Sequence, residues 1–534
     1  MQIIKSYSMQ TRHISISINN DYIKVMRLGG ILFIIFTIIT SCKLSNSEYP
    51  KNVTIALKTA GENKKSLEKV IKHYNQNPAD SLKLKAAYFL IGNMPGLYTY
   101  DAKAGKVYSD IANISPEYLI ENIDQAYDIC KNKLLTGKLS FNNFCNYVLP
   151  YRIGTEKLEN WRNLVLKKYQ HLYDSIGNYS TSELLMLNHI NEDIRKGFKW
   201  VNSNSGAADS YSDLSKNKTG DCNAMSKLAT FCMRAFGVPV AMDCIPFWGN
   251  FNGAGHVWNS FIVNDSIEVP FMGAEANPYE YDLFWKRGKN NQDITKKCAK
   301  VFRCTYSLPD INLLGPDCKG TSGYFYEKRL IDVTERYLSA AEISINIQGT
   351  FKECQHACIC TYSKGQWRPI FWTKISKSNL VKFKDMAVNL VYMVHINSDK
   401  RIIPVSNPIL LSKEGKSIEL IPDTKNPQTV ELQFTGPLVV DFINSYSLGL
   451  SGDAFLKYQD ELWKGKHRQE IETGKEYALY YWNNRWKLIS TTTATGKFVQ
   501  FKNVPSNSLY KMVDTKSKEK KRIFTYEDGE VKWW

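Results

Sequence analysis

The chain has 534 residues, which is too long for one ordinary domain and predicts two to four domains. Its hydrophobic content of 43% and aromatic content of 13% exclude a disordered or collagen-like chain. The formal net charge of +17 is compatible with acidic partners but identifies none of them. The twelve cysteines allow a disulfide framework, a metal site or unrelated single thiols.

The first segment with a clear pattern is the apolar run Leu28–Thr40. It is too short to span a bilayer comfortably, and basic residues before it give the layout of a secretory signal. Its end, Ile39–Cys42, resembles a bacterial lipobox, which implies that residues 1–41 are removed and that Cys42 is lipidated. Two acyl chains anchor a protein stably, so we expect an outer-membrane lipoprotein of the cell envelope. The alternative is an ordinary signal peptide in which Cys42 is incidental.

Residues 42–139 have the pattern of a helical region. Apolar residues fall at helical spacing in Ser66–Tyr74 and Ser81–Met94, and Pro95-Gly96 ends the second run. Residues 203–219 are rich in Ser, Asn, Gly and Lys, and this composition predicts a loop.

After about residue 320 the pattern changes to short apolar–polar alternations between turn signals, which predicts β-domains. This half contains an internal repeat. Cys358–Trp372 and Ala478–Ile489 both indicate a strand, a polar turn, a tryptophan and a second strand, and Trp367 corresponds to Trp486. A repeat of this size predicts two tandem β-sandwich modules, whose aromatic residues fill the sandwiches or, alternatively, stack on glycan. The predicted modules are residues 321–430 and 431–534.

The segment with the most chemical information is Thr219–Pro278. From Cys222 onward, apolar residues fall on one face of a predicted helix that Gly237 ends. Cys222 is therefore expected at a helix N-terminus, where partial positive charge and free N–H groups lower a thiol pKa and stabilise an oxyanion. His256 begins a predicted strand, 256–263. Such a pair supplies a nucleophile and its general base.

These motifs resemble the transglutaminase-like superfamily of papain-related thiol enzymes, and the whole chain is similar to transglutaminase-like lipoproteins of Bacteroidetes. The residues that carry the resemblance are Gly220-Asp221-Cys222, Arg234–Pro239 (R-A-F-G-V-P) and His256-Val257-Trp258. The resemblance implies a papain-like α+β core, which we place at residues 140–320, with Cys222 as nucleophile and His256 as general base. It implies no cofactor and no metal.

The resemblance also implies an acid that orients the imidazole, about 15 residues after the histidine. This chain has Phe271 at that position. Asp265 is predicted in a turn and Glu268 in the middle of a strand. Glu275 follows the strand and is therefore the predicted third catalytic residue, with Glu268 as the second choice. A degenerate triad is the alternative.

The oxyanion hole needs a second donor besides the backbone N–H of Cys222. The candidates are Trp200, Asn202, Tyr151 and Arg152, and the sequence favours none of them. Substrate contact by Tyr151 and Arg152 is less favoured than packing against the core.

The remaining cysteines have no spacing that predicts chemistry. Cys358 and Cys360 alternate on one strand near Cys354, which does not fit a zinc site, so they are interpreted as structural. A disulfide among Cys298, Cys304 and Cys318 stays open, because an oxidising compartment would permit one and nothing fixes the pairing.

The predicted function is acyl transfer through a thioester. Cys222 attacks an amide carbonyl of a peptide, protein or glycopeptide, and His256 moves the proton. Water as acceptor gives a protease or amidase, which the resemblance to bacterial family members favours, and an amine gives a transglutaminase. The alternative is a catalytically degenerate scaffold whose β-modules bind glycan or peptide. The chain has no P-loop, dinucleotide fingerprint or ordered basic helix, so we expect no nucleic-acid partner.

Overall fold

The computed structural model describes residues 49–101, 104–176, 183–201, 209–250, 255–281, 296–308, 329–347, 349, 355–398, 401–436, 457, 470–517 and 521–534. The predicted leader, residues 1–41, and the lipidation site at Cys42 lie outside these residues. Within the described ranges, no helix is both long enough and apolar enough to cross a membrane.

The N-terminal part is helical, as the apolar spacing predicts, and it also contains a hairpin that the spacing does not indicate. Its elements are α1 (Lys51–Thr59), α2 (Lys64–Asn75), α3 (Ser81–Gly92), β1 (Tyr98–Asp101), β2 (Lys106–Ser109), α4 (Asp110–Asn113), α5 (Pro116–Leu135) and α6 (Phe141–Tyr147), with 3-10 turns at Gly61–Asn63 and Pro78–Asp80. Ser115 caps the long helix α5 by accepting a hydrogen bond from the N–H of Tyr118. The apolar faces of these helices share one buried cluster.

The core places helices against a five-stranded sheet of order β7-β6-β5-β8-β9. Its helices and short strands are α7 (Trp161–Ile176), α8 (Glu183–Gly197), β3 (Lys199–Trp200), α9 (Tyr211–Asn217), β4 (Thr219–Gly220), α10 (Cys222–Ala235) and α11 (Thr334–Tyr337). The sheet strands are β5 (Val240–Ile245), β6 (His256–Ile262), β7 (Glu268–Phe271), β8 (Phe302–Cys304) and β9 (Leu330–Asp332). Helix α10 is buried on all sides from Ala224 onward, because it packs against α7, α8 and the sheet.

Two details differ from the sequence-based expectations. Helix α9 lies inside the segment predicted to be a loop, because Ser210 and Asp213 form a capping box that stabilises the first turn of this short helix. Strand β9 lies past the predicted core boundary at residue 320, yet it pairs with β8 in the core sheet.

Asn259 on β6 fixes α10 to the sheet. Its buried amide donates to the carbonyl of Ser226 and to the hydroxyl of Thr230, both at 2.9 Å, and its oxygen accepts from the N–H of Gly273 at 3.2 Å. A Cβ atom on Gly273 would lie 2.5 Å from the carbonyl oxygen of Met225, so the turn after β7 can approach the helix only with glycine here. These contacts set the position of the helix start relative to β6.

The C-terminal part repeats one pattern of strand pairing. In the first repeat, β10 pairs with β13, and β12-β11-β14 lie together in a larger sheet. In the second, β18 pairs with β21, and β20-β19-β22 lie together. Even the register shift within the first hairpin recurs, at Ile359/Cys360 and Leu479/Tyr480. The two parts therefore share one pairing order and one register shift, and β18 begins before the predicted boundary at residue 430.

The strands of the first repeat are β10 (Ala340–Asn346), β11 (His356–Ser363), β12 (Gln366–Lys374), β13 (Leu380–Ala387), β14 (Leu390–Ser398), β15 (Arg401–Pro404), β16 (Ile409–Leu411) and β17 (Ser417–Glu419). Those of the second are β18 (Asp423–Leu432), β19 (Glu476–Asn483), β20 (Arg485–Thr493), β21 (Val499–Ser506), β22 (Tyr510–Asp514), β23 (Ile523–Glu527) and β24 (Glu530–Trp533). Each repeat encloses its own apolar cluster.

Both repeats also contact the core. The Lys300 ammonium donates to the carbonyls of Lys384 and Asp385 in the first repeat, at 2.6 and 2.9 Å. Arg522 of the second repeat is almost fully buried and donates to the carbonyl of Gly249 in the core at 2.9 Å. The core and the repeats are therefore joined by buried cations that bind backbone carbonyls.

Candidate functional site

Cys222 is the first residue of α10, as the sequence predicts. The preceding residue, Asp221, caps the helix by accepting from the N–H groups of Asn223 and Ala224 at 3.0 and 3.1 Å. Gly220 permits this tight start, because a Cβ atom there would lie 2.4 Å from the Cβ of Ala224. The thiol is partly buried and packs against two apolar clusters of the core.

The pKa of the Cys222 thiol is raised to about 11, whereas the sequence predicted a lowered value. Burial is the main cause, and the nearby Asp221 carboxylate adds to it. A hydrogen bond from the backbone N–H of Val257 opposes the rise. The difference has a physical reason: burial of the thiol and the negative charge of the Asp221 cap outweigh the effect of the helix N-terminus. The thiol is therefore protonated at neutral pH.

His256 begins β6, and its imidazole lies between two tryptophan rings. The ring centroids of Trp248 and Trp258 are each 5.9 Å from that of His256, with interplanar angles of 28°. Nε2 of His256 lies 2.7 Å from the hydroxyl of Tyr281. Burial, together with the charge of Lys296, lowers the pKa of His256 to about 3, so the imidazole is neutral at neutral pH. We call His256, Trp248, Trp258 and Tyr281 the aromatic cluster.

The structure brings Cys222 to the strand that carries His256. The Cys222 side chain packs into the apolar cluster that contains Val257, the residue that follows His256. Within the described residues, no hydrogen bond joins the thiol to the imidazole, and Nδ1 of His256 has no hydrogen-bond partner. In the tautomer whose Nε2–H donates to the Tyr281 hydroxyl, Nδ1 carries the lone pair that can accept a proton.

The three acids considered from sequence have other positions or partners. Glu275 lies exposed in the turn after β7, and no hydrogen bond among the described residues joins it to His256. Glu268 pairs with Ile262 at the opposite end of β6, about 20 Å from His256 along the strand. Its carboxylate accepts from Arg303 at 2.8 Å. Asp265 accepts from the side chains of Ser140 and Asn143.

A second polar group lies on the other side of Trp258. Asp243 is fully buried and accepts from Nε and Nη2 of Arg303 at 2.8 and 2.7 Å. Its carboxylate also accepts from the hydroxyls of Ser260 and Tyr337, and the indole N–H of Trp258 donates to Tyr337 at 3.2 Å. Asp243, Arg303, Glu268, Ser260 and Tyr337 form what we call the charged cluster. It holds the sheet together and presents no unpaired carboxylate to His256.

Of the candidate oxyanion donors, Trp200 lies close to the helix start, because β3 pairs with β4 and places Trp200 opposite Gly220. The side chain of Trp200 is half-exposed. Tyr151 and Arg152 are both bonded to the buried carboxylate of Asp110, which gives them a structural role. Asn202 lies outside the described residues.

None of the cysteines in the described ranges, including Cys298, Cys304, Cys358 and Cys360, forms a disulfide there. No group of three or more potential metal ligands occurs in the parts of the chain that the structure describes. Cys318 and Cys354 lie outside those parts.

Sequence reasoning missed Tyr281 and Trp248. Neither belongs to a periodic pattern, and Tyr281 is 25 residues from the histidine that it contacts. Tyr281 ends the run Pro278–Tyr281, which follows the turn signal Asn277-Pro278 and gives no sign of a contact with the histidine.

Residues 170–268 match a family model described as the transglutaminase-like superfamily. Among solved structures, a proposed cysteine protease from Cytophaga hutchinsonii is similar at 15% sequence identity and a TM-score of 0.18. The match covers 23% of this chain and 44% of that one, so the chain spans less than half of that relative. The comparison with curated proteins gives no match. The segment that contains Cys222 and His256 thus matches the transglutaminase-like superfamily, within a chain of mixed helices and sheets.

Proposed function

We propose that this protein is a thiol hydrolase or acyltransferase that acts on amide bonds, with Cys222 as nucleophile and His256 as general base. One observation carries the proposal. Helix α10 and strand β6 pack the Cys222 side chain into the apolar cluster that contains Val257, the residue next to His256, inside the segment that matches the superfamily. A thiol at a helix start and an imidazole at a strand start supply the two groups that acyl transfer through a thioester requires.

The thiol of Cys222 and the imidazole of His256 are both neutral before the reaction. The first step must therefore move the thiol proton to the imidazole. A rotation of the Cys222 side chain brings the thiol to Nδ1 of His256. Nδ1 takes the proton while sulfur bonds to the amide carbon, and the backbone N–H of Cys222 stabilises the oxyanion. The imidazolium then gives its proton to the leaving amine, which leaves a thioester. Water or an amine attacks the thioester, with His256 again acting as base.

Tyr281 takes the positioning role in this proposal that Glu275 has in the sequence-based one. When His256 is protonated, Nε2–H donates to the Tyr281 oxygen, which holds the ring with Nδ1 toward the thiol. A phenol orients the ring but, unlike a carboxylate, supplies no negative charge to stabilise the imidazolium. This agrees with the low pKa of His256.

We further propose that water is the usual acceptor and that the substrate is a peptide, protein or glycopeptide at the cell envelope. The lipobox-like residues Ile39–Cys42 support an anchor in the outer membrane. A Cys42→Ala variant tests the anchor. The wild-type protein should enter the detergent phase with two or more acyl chains detected by mass spectrometry, and the variant should stay in the aqueous phase. Equal partition of the two proteins would exclude lipidation at Cys42.

A second candidate function is a binding scaffold. The raised pKa of Cys222, and the absence of a thiol–imidazole hydrogen bond within the described residues, favour it. In this case the C-terminal repeats hold the ligand and the core is structural.

A library of peptide and glycopeptide amides distinguishes the two functions. The wild-type protein and a Cys222→Ala variant are incubated with the library, and products and bound ligands are identified by mass spectrometry. Hydroxylamine is added to capture an acyl group from a thioester. An enzyme yields products and hydroxamates with the wild-type protein alone. A scaffold binds the same members in both proteins and releases no product from either.

A further inference from the structure

A cavity of about 200 Å³ lies between the N-terminal helical part and the core sheet. Its core-side wall includes Arg234, Met242 and Cys304, and the wall from the N-terminal part includes Leu97 and Ile153. Arg152, Thr305, Tyr306 and Arg329 are further lining residues. No carboxylate lines the cavity among the residues that the structure describes.

Arg234 has an unused donor in this cavity. It lies in the last turn of α10 and is 5% exposed. Its Nε and Nη2 both donate to the carbonyl of Val240, at 3.1 and 2.9 Å, whereas Nη1 has no hydrogen-bond partner among the described residues. One donor of this largely buried guanidinium is therefore open to the cavity, where an oxygen of a ligand can accept from it.

Two neighbouring arginines show how this chain normally satisfies a buried guanidinium. Every nitrogen of Arg152 is bonded, and the Asp110 carboxylate balances its charge. Arg162 has no carboxylate partner, yet each of its nitrogens donates to a carbonyl or amide oxygen. Arg234 differs from both, because it has neither a carboxylate nor a full set of oxygen partners.

Arg234 brings a positive charge to the cavity. Arg152 is neutralised by Asp110, and the nearby Glu156 is paired with Lys227 at 3.0 Å. Arg234 supplies positive charge to the wall, and Arg329, which also lines the cavity, donates to the carbonyls of Tyr306, Asn93 and Pro95. Burial lowers the pKa of Arg234 to about 10, which still leaves it charged at neutral pH.

We propose that this cavity binds a small ligand through an oxyanion group, a carboxylate or a phosphate, with Nη1 of Arg234 as a donor. Arginine suits this role because its planar guanidinium matches the geometry of both groups. Leu97, Ile153 and Met242 provide an apolar wall for a short apolar part of the ligand. Cys222 packs against the same apolar cluster as Met242, so the ligand lies on the thiol side of the sheet.

Cys304 provides a reporter, because it lines the cavity and is partly exposed. The experiment uses the full chain with Cys222→Ala, which removes the proposed nucleophile and makes the result independent of catalysis. Alkylation of Cys304 by iodoacetate, an anion, is compared with alkylation by neutral iodoacetamide, with each cysteine quantified by peptide mass spectrometry. The ratio of the two rates should be about tenfold higher in folded protein than in urea-unfolded protein, because the cavity attracts the anion.

Competition identifies the ligand chemistry. Inorganic phosphate, acetate, and a dipeptide with a free or an amidated carboxyl terminus are added at constant ionic strength, with chloride as the reference. Protection of Cys304 by the free dipeptide but not by its amide indicates a substrate carboxylate. Stronger protection by phosphate indicates a phosphate-bearing ligand. Equal rate ratios in folded and unfolded protein, with no protection by any anion, would overturn the proposal.

In the Arg234→Gln variant, the ratio of the iodoacetate rate to the iodoacetamide rate at Cys304 should be no higher in folded protein than in urea-unfolded protein. The matched control, Arg195→Gln, removes a charge of the same type from the exposed end of α8 and should leave the ratio unchanged. If the Arg234 variant does not fold, anion protection in the protein with native Arg234 still decides the proposal. An equal loss of the excess rate in both variants would mean that overall charge, and not the cavity, attracts the anion.

Discussion

Trp258 lies between the charged cluster and the aromatic cluster, and the two differ in how their buried titratable groups are bonded. On one side, the charged cluster pairs Asp243 with Arg303 and satisfies the carboxylate with further hydrogen bonds. On the other side, the aromatic cluster keeps His256 neutral between two indole rings and gives it a phenol as its hydrogen-bond partner. Buried charges are thus paired where they support the sheet, and a titratable group is left uncharged and available beside the thiol.

The largest expected effect is the loss of activity when Cys222 or His256 is replaced. Cys222→Ser and His256→Gln should each lower kcat/KM for an amide substrate by about 10³-fold or more, because both groups act in bond formation. Stability should change little by comparison. Product release is measured by mass spectrometry and unfolding by urea titration. Retained hydrolysis in the Cys222→Ser variant would assign catalysis to another part of the chain.

Disrupting the charged cluster should lower the stability of the fold strongly and the activity only weakly. Asp243→Asn leaves Arg303 without its main buried counter-charge and should lower the free energy of unfolding by about 3 kcal/mol. The activity per folded molecule should fall far less than in the thiol variant. The control is Glu342→Gln, which removes an exposed ion pair with Lys382 and should cost under about 1 kcal/mol. Similar losses in both variants would contradict the structural role of the buried pair.

Tyr281→Phe sharpens the comparison, because it removes a single hydroxyl from the aromatic cluster. We expect kcat to fall about tenfold with KM nearly unchanged, since the imidazole loses the bond that fixes its orientation. The acidic limb of the pH profile should also move, which a merely structural role would not cause. Tyr279→Phe is the matched control, because Tyr279 is 72% exposed. Unchanged kinetics in Tyr281→Phe would leave the positioning role without support.

The neutral histidines should make the fold sensitive to acid. Burial lowers the pKa of His256 to about 3 and that of His395 to about 4, whereas unfolded histidine titrates near 6.5. Between these values the unfolded chain binds more protons, so stability is complete above about pH 6.5 and falls as the pH drops toward 4 and then 3.

Urea unfolding at a series of pH values measures this loss. His395→Asn should flatten the slope in that window, and the control variant His73→Asn, on an exposed surface of α2, should not. A slope that is the same in all three proteins would assign the acid sensitivity to other groups.

The smallest expected effect is that of Glu275→Gln. Glu275 is exposed and not bonded to the imidazole, so kcat/KM should stay within about twofold of the wild-type value. A loss of tenfold or more would restore the carboxylate to the triad and leave Tyr281 with packing alone.

Local sequence signals predicted much of the fold and part of the site. The start of α10 follows from Gly220 and the apolar face after Cys222, and its end follows from Gly237, which has a φ of 67°. The repeat was visible as two tryptophans at corresponding strand positions, Trp367 and Trp486. Each of these features depends on residues close together in the chain.

The features that sequence did not predict depend on distant contacts. Tyr281 reaches His256 from a segment without periodicity, and Arg303 meets Asp243 across 60 residues. The direction of the Cys222 pKa shift was also wrong, because the helix N-terminus was considered without the burial of the thiol and the charge of its Asp221 cap. The spacing of about 15 residues predicts a third catalytic residue on the strand that follows the histidine strand. In this core, the described strands place no carboxylate beside His256.

Because of Arg522, the surroundings of His256 depend on a part of the chain that is synthesised after the core. It belongs to the second repeat, yet it binds the carbonyl of Gly249, and the preceding residue, Trp248, packs on His256. Trp248, which packs on the imidazole, therefore lacks this support until the second repeat has been synthesised and folded. Under the proposed function, a newly synthesised core would carry its thiol and its histidine before this contact exists, so its full reactivity would follow the folding of the second repeat.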